Sequence, residues 1–165
     1  MVKFYEFLQT GVLNGIGLGN TAFHVRRTLG NPTDVAYENH KPSILKYNDL
    51  QFLFFFNEKN KRSEVHSIYF EFFLSKHLSF PSILLPDDWF PNSLSTDNQF
   101  HKYIVKHGLH WNTYLDFGNE VHYIVEDKAH ICFRKTRKSY RLSTLSVSAY
   151  HYAVKELTDS KNLSE

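Results

Sequence analysis

One segment constrains this chain more than any other. Between residues 64 and 73, Ile68, Phe70 and Phe72 fall on one face of an extended strand, and Ser67, Tyr69 and Glu71 on the other. Alternation with a period of two requires a strand with one buried and one open face, which is the habit of antiparallel sheets. The stretch before it fits. Ile44 to Tyr47 and Leu50 to Phe56 are apolar runs joined by Asn48-Asp49, a hairpin signal, and residues 57–62 form a charged loop. Phe56 ends a run that is apolar on both faces, so the second unit or a partner must cover the face turned from the helices.

Helices precede these strands. Phe4, Phe7 and Leu8 share one helical face, which predicts a helix from Val2 to about Leu13. Asn20 or Thr21 caps a second helix that places Val25 and Leu29 one turn apart, and Gly30 and Pro32 stop it. Residues 74–94 hold Pro81, Pro86 and Pro91, so a long regular element is excluded there. This is read as a linker that packs Trp89 and Phe90. The pattern then returns. Ser95, Thr96 or Asp97 caps a helix carrying Phe100, Tyr103, Ile104 and His107, and Trp111 to Phe117 follows as a strand. Val121 to Val125 and Ala129 to Phe133 make a hairpin around Glu126-Asp127. Leu142 to Ser148 is a last strand, with Leu145 and Val147 inward and Thr144, Ser146 and Ser148 outward, and a short helix is expected near Tyr152 to Leu157.

The halves overlay. At an offset of about 78 residues Asp49 falls on Asp127, Leu53 on Ile131 and Phe55 on Phe133, and one residue shorter Val65 falls on Leu142. The domain reading is a first unit over 1–73, a linker over 74–94, and a degenerate second unit over 95–165.

Charge and cysteine usage narrow the function. Nineteen Lys and Arg against 17 Asp and Glu leave a net charge of +2, too little for strong nucleic-acid backbone binding. The single cysteine, Cys132, forbids an internal disulfide, and with no apolar span or signal segment the expectation is a cytoplasmic chain off the membrane.

Residues 19–32 read Gly-Asn-Thr-Ala-Phe-His-Val-Arg-Arg-Thr-Leu-Gly-Asn-Pro. They resemble the Gly-x-Thr-x3-Val-x3-Leu-Gly-x-Pro motif of the SmpA/OmlA (BamE-like) domain, and Tyr47 and Phe52 to Phe56 resemble that family's aromatic strands. As a tandem pair the chain is similar to the beta-lactamase-inhibitor protein fold. The resemblance implies an α+β fold: tandem ααβββ units forming a curved antiparallel sheet with helices on one face, whose other face grips an enzyme. Cytoplasmic chains of this kind resemble immunity proteins. That implies a protein inhibitor that blocks a bacterial toxin or enzyme, monomeric until bound, with no cofactor, no metal and no catalytic residues. The expected partner-binding residues are Tyr47, Asp49, Tyr69, Glu71, Trp89, Phe90, Trp111, Tyr123 and Asp127, with Asp49 as a plug at a hairpin tip.

Other chemistries have less behind them. Gly15, Gly17 and Gly19 follow a helix rather than a strand, so they read as a turn and not a dinucleotide loop. His107 and His110 are separated by a glycine, with no cysteine or carboxylate to complete a metal site. His122 and His130 lie on opposite arms of one hairpin with Cys132 beyond, and Cys132 reads as a structural thiol between Ile131 and Phe133. The alternatives to inhibition are a BamE-like scaffold module and a small hydrolase or nuclease using His122 or His130.

Overall fold

A computed structural model describes residues 3–72, 91–116, 119–137 and 139–149. The elements are α1 (Phe4–Thr10), α2 (Ala22–Leu29), β1 (Asp34–Glu38), β2 (Lys41–Tyr47), β3 (Leu50–Asn57), β4 (Arg62–Glu71), α3 (Asp97–Lys106), β5 (Trp111–Asp116), β6 (Glu120–Val125), β7 (Ala129–Lys135) and β8 (Tyr140–Ser148). The chain is α+β: one antiparallel sheet of eight strands, in the order β1-β2-β3-β4-β8-β7-β6-β5, with three helices among the described residues.

Each helix follows from local chemistry. α1 buries Phe4, Phe7 and Leu8 and stops earlier than the expected Leu13. Gly11 takes a left-handed φ of 72° and its amide donates to the Phe7 carbonyl, closing the last turn. α2 starts where Thr21 accepts from the His24 amide and buries Val25 and Leu29. α3 starts with a reciprocal capping box between Thr96 and Gln99.

Two rows of side chains cross the sheet beneath the helices. One runs Val35, Leu45, Phe52, Ile68, Val147, Ala129, Val125, Trp111, and the other Tyr47, Leu50, Phe70, Leu145, Ile131, Tyr123. With the helical Phe4, Phe7, Leu8, Phe100 and Ile104 they form one hydrophobic core. Phe7 meets Phe70 edge-on at 5.6 Å, and Phe100 meets Phe133 at 5.6 Å.

The two halves join at β4 and β8, where Ser67–Glu71 pairs with Ser148–Thr144. The Phe72 amide extends this ladder to the Ser143 carbonyl. α1 crosses the junction. Phe7 packs on Phe70 of β4, a Cβ at Gly11 would lie 3.1 Å from Val147 of β8, and the Tyr5 amide donates to the Tyr103 hydroxyl of α3.

Among the described residues each half supplies four strands: one more than the three read in the first half, and in the second the four read along the chain, one more than an αβββ unit holds. β1 was not foreseen in the first half. It is a mostly exposed edge strand with no apolar alternation, turned into β2 by Asn39 and His40, both at positive φ. The second half has the one helix α3 among the described residues. The expected linker lies largely outside the described residues, as do Trp89, Phe90 and the tail helix.

Truncating Phe70, which is 1% exposed between Phe7 and Phe72, removes a whole buried ring. Phe70→Ala is expected to cost about 3–5 kcal/mol in urea unfolding. Phe55→Ala, at a ring 57% exposed, is expected to stay within about 0.5 kcal/mol.

Candidate functional site

The face opposite the helices carries the remaining side chains of every strand. Pairing sets one full row: Asp34, Lys46, Gln51, Tyr69, Ser146, His130, Ile124, Asn112. The adjacent row holds Glu71, Thr144, Cys132 and His122. None of the described helices covers this face, because their buried residues all pack into the core beneath the other one.

Tyr69 and Glu71 are the expected binding residues that the structure brings together here. Gln51 Nε2 donates to Glu71 Oε2 at 3.0 Å, and Lys46 Nζ lies 4.0 Å from the same oxygen. Tyr69 is half-buried; burial, then the nearby Glu71 charge, pushes its hydroxyl pKa up. Phe55 adds an exposed ring beside His66, the centroids 4.7 Å apart.

Three expected residues lie on the other face. Tyr47 is 2% exposed, donates its hydroxyl to the Gly30 carbonyl at 3.0 Å and meets Phe52 edge-on. Tyr123 is 5% exposed and packs on Trp111 and Phe133. Trp111 stacks on His101 of α3 at 4.5 Å. These rings belong to the core and its margin, because their strand positions are in phase with Leu45 and Val125. Asp49 and Asp127 do sit in hairpin turns, but at opposite ends of the strands: the first beside Glu71, the second beside the Val147 end of β8.

A titratable cluster occupies the β6–β7 part of the open face. His122 Nδ1 lies 2.9 Å from His130 Nε2, and the two rings stack at 5.1 Å. His122 Nε2 lies 3.7 Å from Cys132 Sγ and 3.4 Å from Glu120 Oε2. The other Glu120 oxygen, Oε1, accepts from Arg134 Nε at 2.9 Å. This contact is the main reason the carboxyl is held below its usual pKa. Cys132 is buried, and burial pushes its thiol pKa up to about 11, with the Glu120 charge adding to the effect.

The sequence reading groups His122, His130 and Cys132 on one hairpin and takes Cys132 as structural, but it does not include Glu120 and Arg134. The signal was present in strand phase. About the turn at Glu126-Asp127, pairing Val125 with Ala129 places His122 opposite Cys132 and Glu120 opposite Arg134 on one face.

No protein-family model, curated protein or solved structure matches the chain. No described helix is long and apolar enough to cross a membrane.

A thiol titrating near 11 is neutral at ordinary pH, so native Cys132 is expected to resist iodoacetamide at pH 8, whereas urea-unfolded chain reacts readily. The sign for stability follows from the raised pKa. The neutral thiol's contribution is complete below about 9 and is lost as pH rises through about 11. Equal labelling rates in native and unfolded chain would contradict the burial.

Proposed function

We propose that this chain is a protein-binding inhibitor, in its particular form an immunity protein that occludes the active site of a cognate bacterial toxin. The observation that carries the reading is the sheet face that no described helix covers, with Tyr69 half-buried at its centre and Phe55 exposed toward one end. Aromatic anchors ringed by charged groups such as Lys46, Glu71, Glu120 and Arg134 make the usual composition of a docking surface. Inhibition would be steric and electrostatic, without a cofactor. A net charge of +2 argues against an acidic decoy for a cationic nuclease.

Tandem units underlie this reading. Two local features recur at the same place in each half. Thr21 and Thr96 cap the helices that precede the strands. The residue before each cap lends its carbonyl to a central strand: Val65 N donates to Asn20 O at 2.7 Å, and Leu142 N to Ser95 O at 3.0 Å. Strand order is mirrored about β4 and β8. These features support a duplicated unit of helix and antiparallel strands, with residues 19–32 as the stretch most like the SmpA/OmlA motif. Cytoplasmic localisation and a monomeric free state are part of the same proposal. A BamE-like scaffold role would use the same face without inhibiting an enzyme.

Catalysis at His122 or His130 has one observation in its favour, their close contact with each other and, through His122, with Cys132. The neutral, buried thiol argues against a cysteine nucleophile.

The test is co-expression with the toxin-like product of a neighbouring gene. Protection of the host and a stoichiometric complex on gel filtration are expected. Tyr69→Ala and Glu71→Lys should each weaken that complex about tenfold or more, while Tyr47→Ala should lower the melting temperature instead. Complex formation without any inhibition would favour the scaffold. Neither protection nor a complex would defeat the proposal.

A further inference from the structure

We propose that Glu120, His122 and Cys132 form a binding site for a borderline-soft divalent cation of the zinc class, with His130 as a positioning residue. The three side chains offer a carboxylate oxygen, an imidazole nitrogen and a sulfur within 4.8 Å of one another. They project from neighbouring strands, β6 and β7, whose register puts His122 directly opposite Cys132. The site is therefore built on sheet backbone and not on a loop.

The spacing suits a tetrahedral ion. Metal–nitrogen and metal–oxygen bonds of about 2.0 Å and a metal–sulfur bond of about 2.3 Å put nitrogen about 3.5 Å from sulfur and about 3.3 Å from oxygen. His122 Nε2 lies 3.7 Å from Cys132 Sγ and 3.4 Å from Glu120 Oε2. The carboxylate oxygen and the sulfur lie within 4.8 Å of each other, so one ion can bridge all three when Glu120, the most exposed of them, closes toward the sulfur to about 3.5 Å, leaving a fourth position for water. The donor set selects the class. A thiolate beside an imidazole favours zinc or cobalt, whereas calcium and magnesium prefer oxygen ligands alone.

The surroundings hold the ligands in place. With Nε2 on the ion, His122 carries its proton on Nδ1 and donates it to His130 Nε2, 2.9 Å away. That is the supporting hydrogen bond ligating histidines ordinarily have. Arg134 occupies Glu120 Oε1, leaving Oε2 turned toward His122. The ion would enter past Glu120 and His122, whose side chains are 29% and 14% exposed. Binding displaces the Cys132 proton to solvent and leaves a thiolate on the metal.

The test is a cobalt(II) titration of the full chain after treatment with a chelator, read by absorption and by metal analysis after gel filtration. Expected are one cobalt per chain and a sulfur-to-cobalt charge-transfer band, reversed by adding zinc. Cys132→Ser should abolish the band, and Glu120→Gln, a change at a partly exposed position, should weaken binding about tenfold or more. His130→Ala should weaken binding by roughly 10- to 100-fold while the band persists. His110→Ala should change nothing. Circular dichroism of each variant separates loss of ligand from loss of fold. If the folded wild-type chain gives no charge-transfer band, or if stoichiometric binding survives both Cys132→Ser and Glu120→Gln, the site is not where we place it.

Discussion

The antiparallel pairing of β4 with β8 is the interaction on which the rest of this structure depends. β4 and β8 each meet the segment before a helix at one end, through Asn20 and Ser95, and along residues 67–71 and 144–148 each is the other's partner; an unpaired strand edge there would be a template for wrong pairing. Joining the edges makes one eight-stranded sheet from two four-stranded ones. It also lets α1 lie over both halves, with Phe7 against β4, Gly11 against Val147 and Tyr5 bound to Tyr103. The core is continuous because the register at this junction places Ile68 opposite Val147 and Phe70 opposite Leu145. A shift of one residue would turn these side chains to the other face.

The same register builds the open face. Tyr69, Ser146 and His130 share one row, and Glu71, Thr144, Cys132 and His122 the next. The surface proposed for docking and the cluster proposed for a metal are therefore neighbours on one rigid support. Proximity has an electrostatic consequence: the Tyr69 hydroxyl lies within the fields of Glu71 and of Arg134, which belongs to the cluster.

Much of the fold could be read from the sequence, for identifiable reasons. β4 and β8 alternate apolar with polar residues, so the assignment of Phe70, Leu145 and Val147 to the helix side and Tyr69, Thr144 and Ser146 to the other agrees with the pairing, although Ser67, Ser146 and Ser148 are buried as well. The caps at Thr21 and Thr96 are short-range chemistry. β1 was missed because an exposed edge strand leaves no apolar pattern, and α1 was drawn too long because a left-handed glycine at position 11 outweighed the apolar residues after it. The site was less legible. Aromatic identity suggested Tyr47, Trp111 and Tyr123 for an interface, yet facing is set by phase relative to Leu45 and Val125, and that phase puts them under the helices. The sequence groups His122, His130 and Cys132 on one hairpin. Their meeting depends on the exact register of a hairpin, together with a carboxylate at position 120.

Amide hydrogen exchange across the junction tests most directly whether the two halves form one cooperative body. Amides of residues 67–71 and 144–148 that take part in the β4–β8 ladder should exchange only through global unfolding, with the same free energy and denaturant slope as the whole chain, and unfolding should show one transition. If the junction opens at markedly lower free energy, or the halves melt in two separate transitions, the continuous sheet and the open face built on it are wrong.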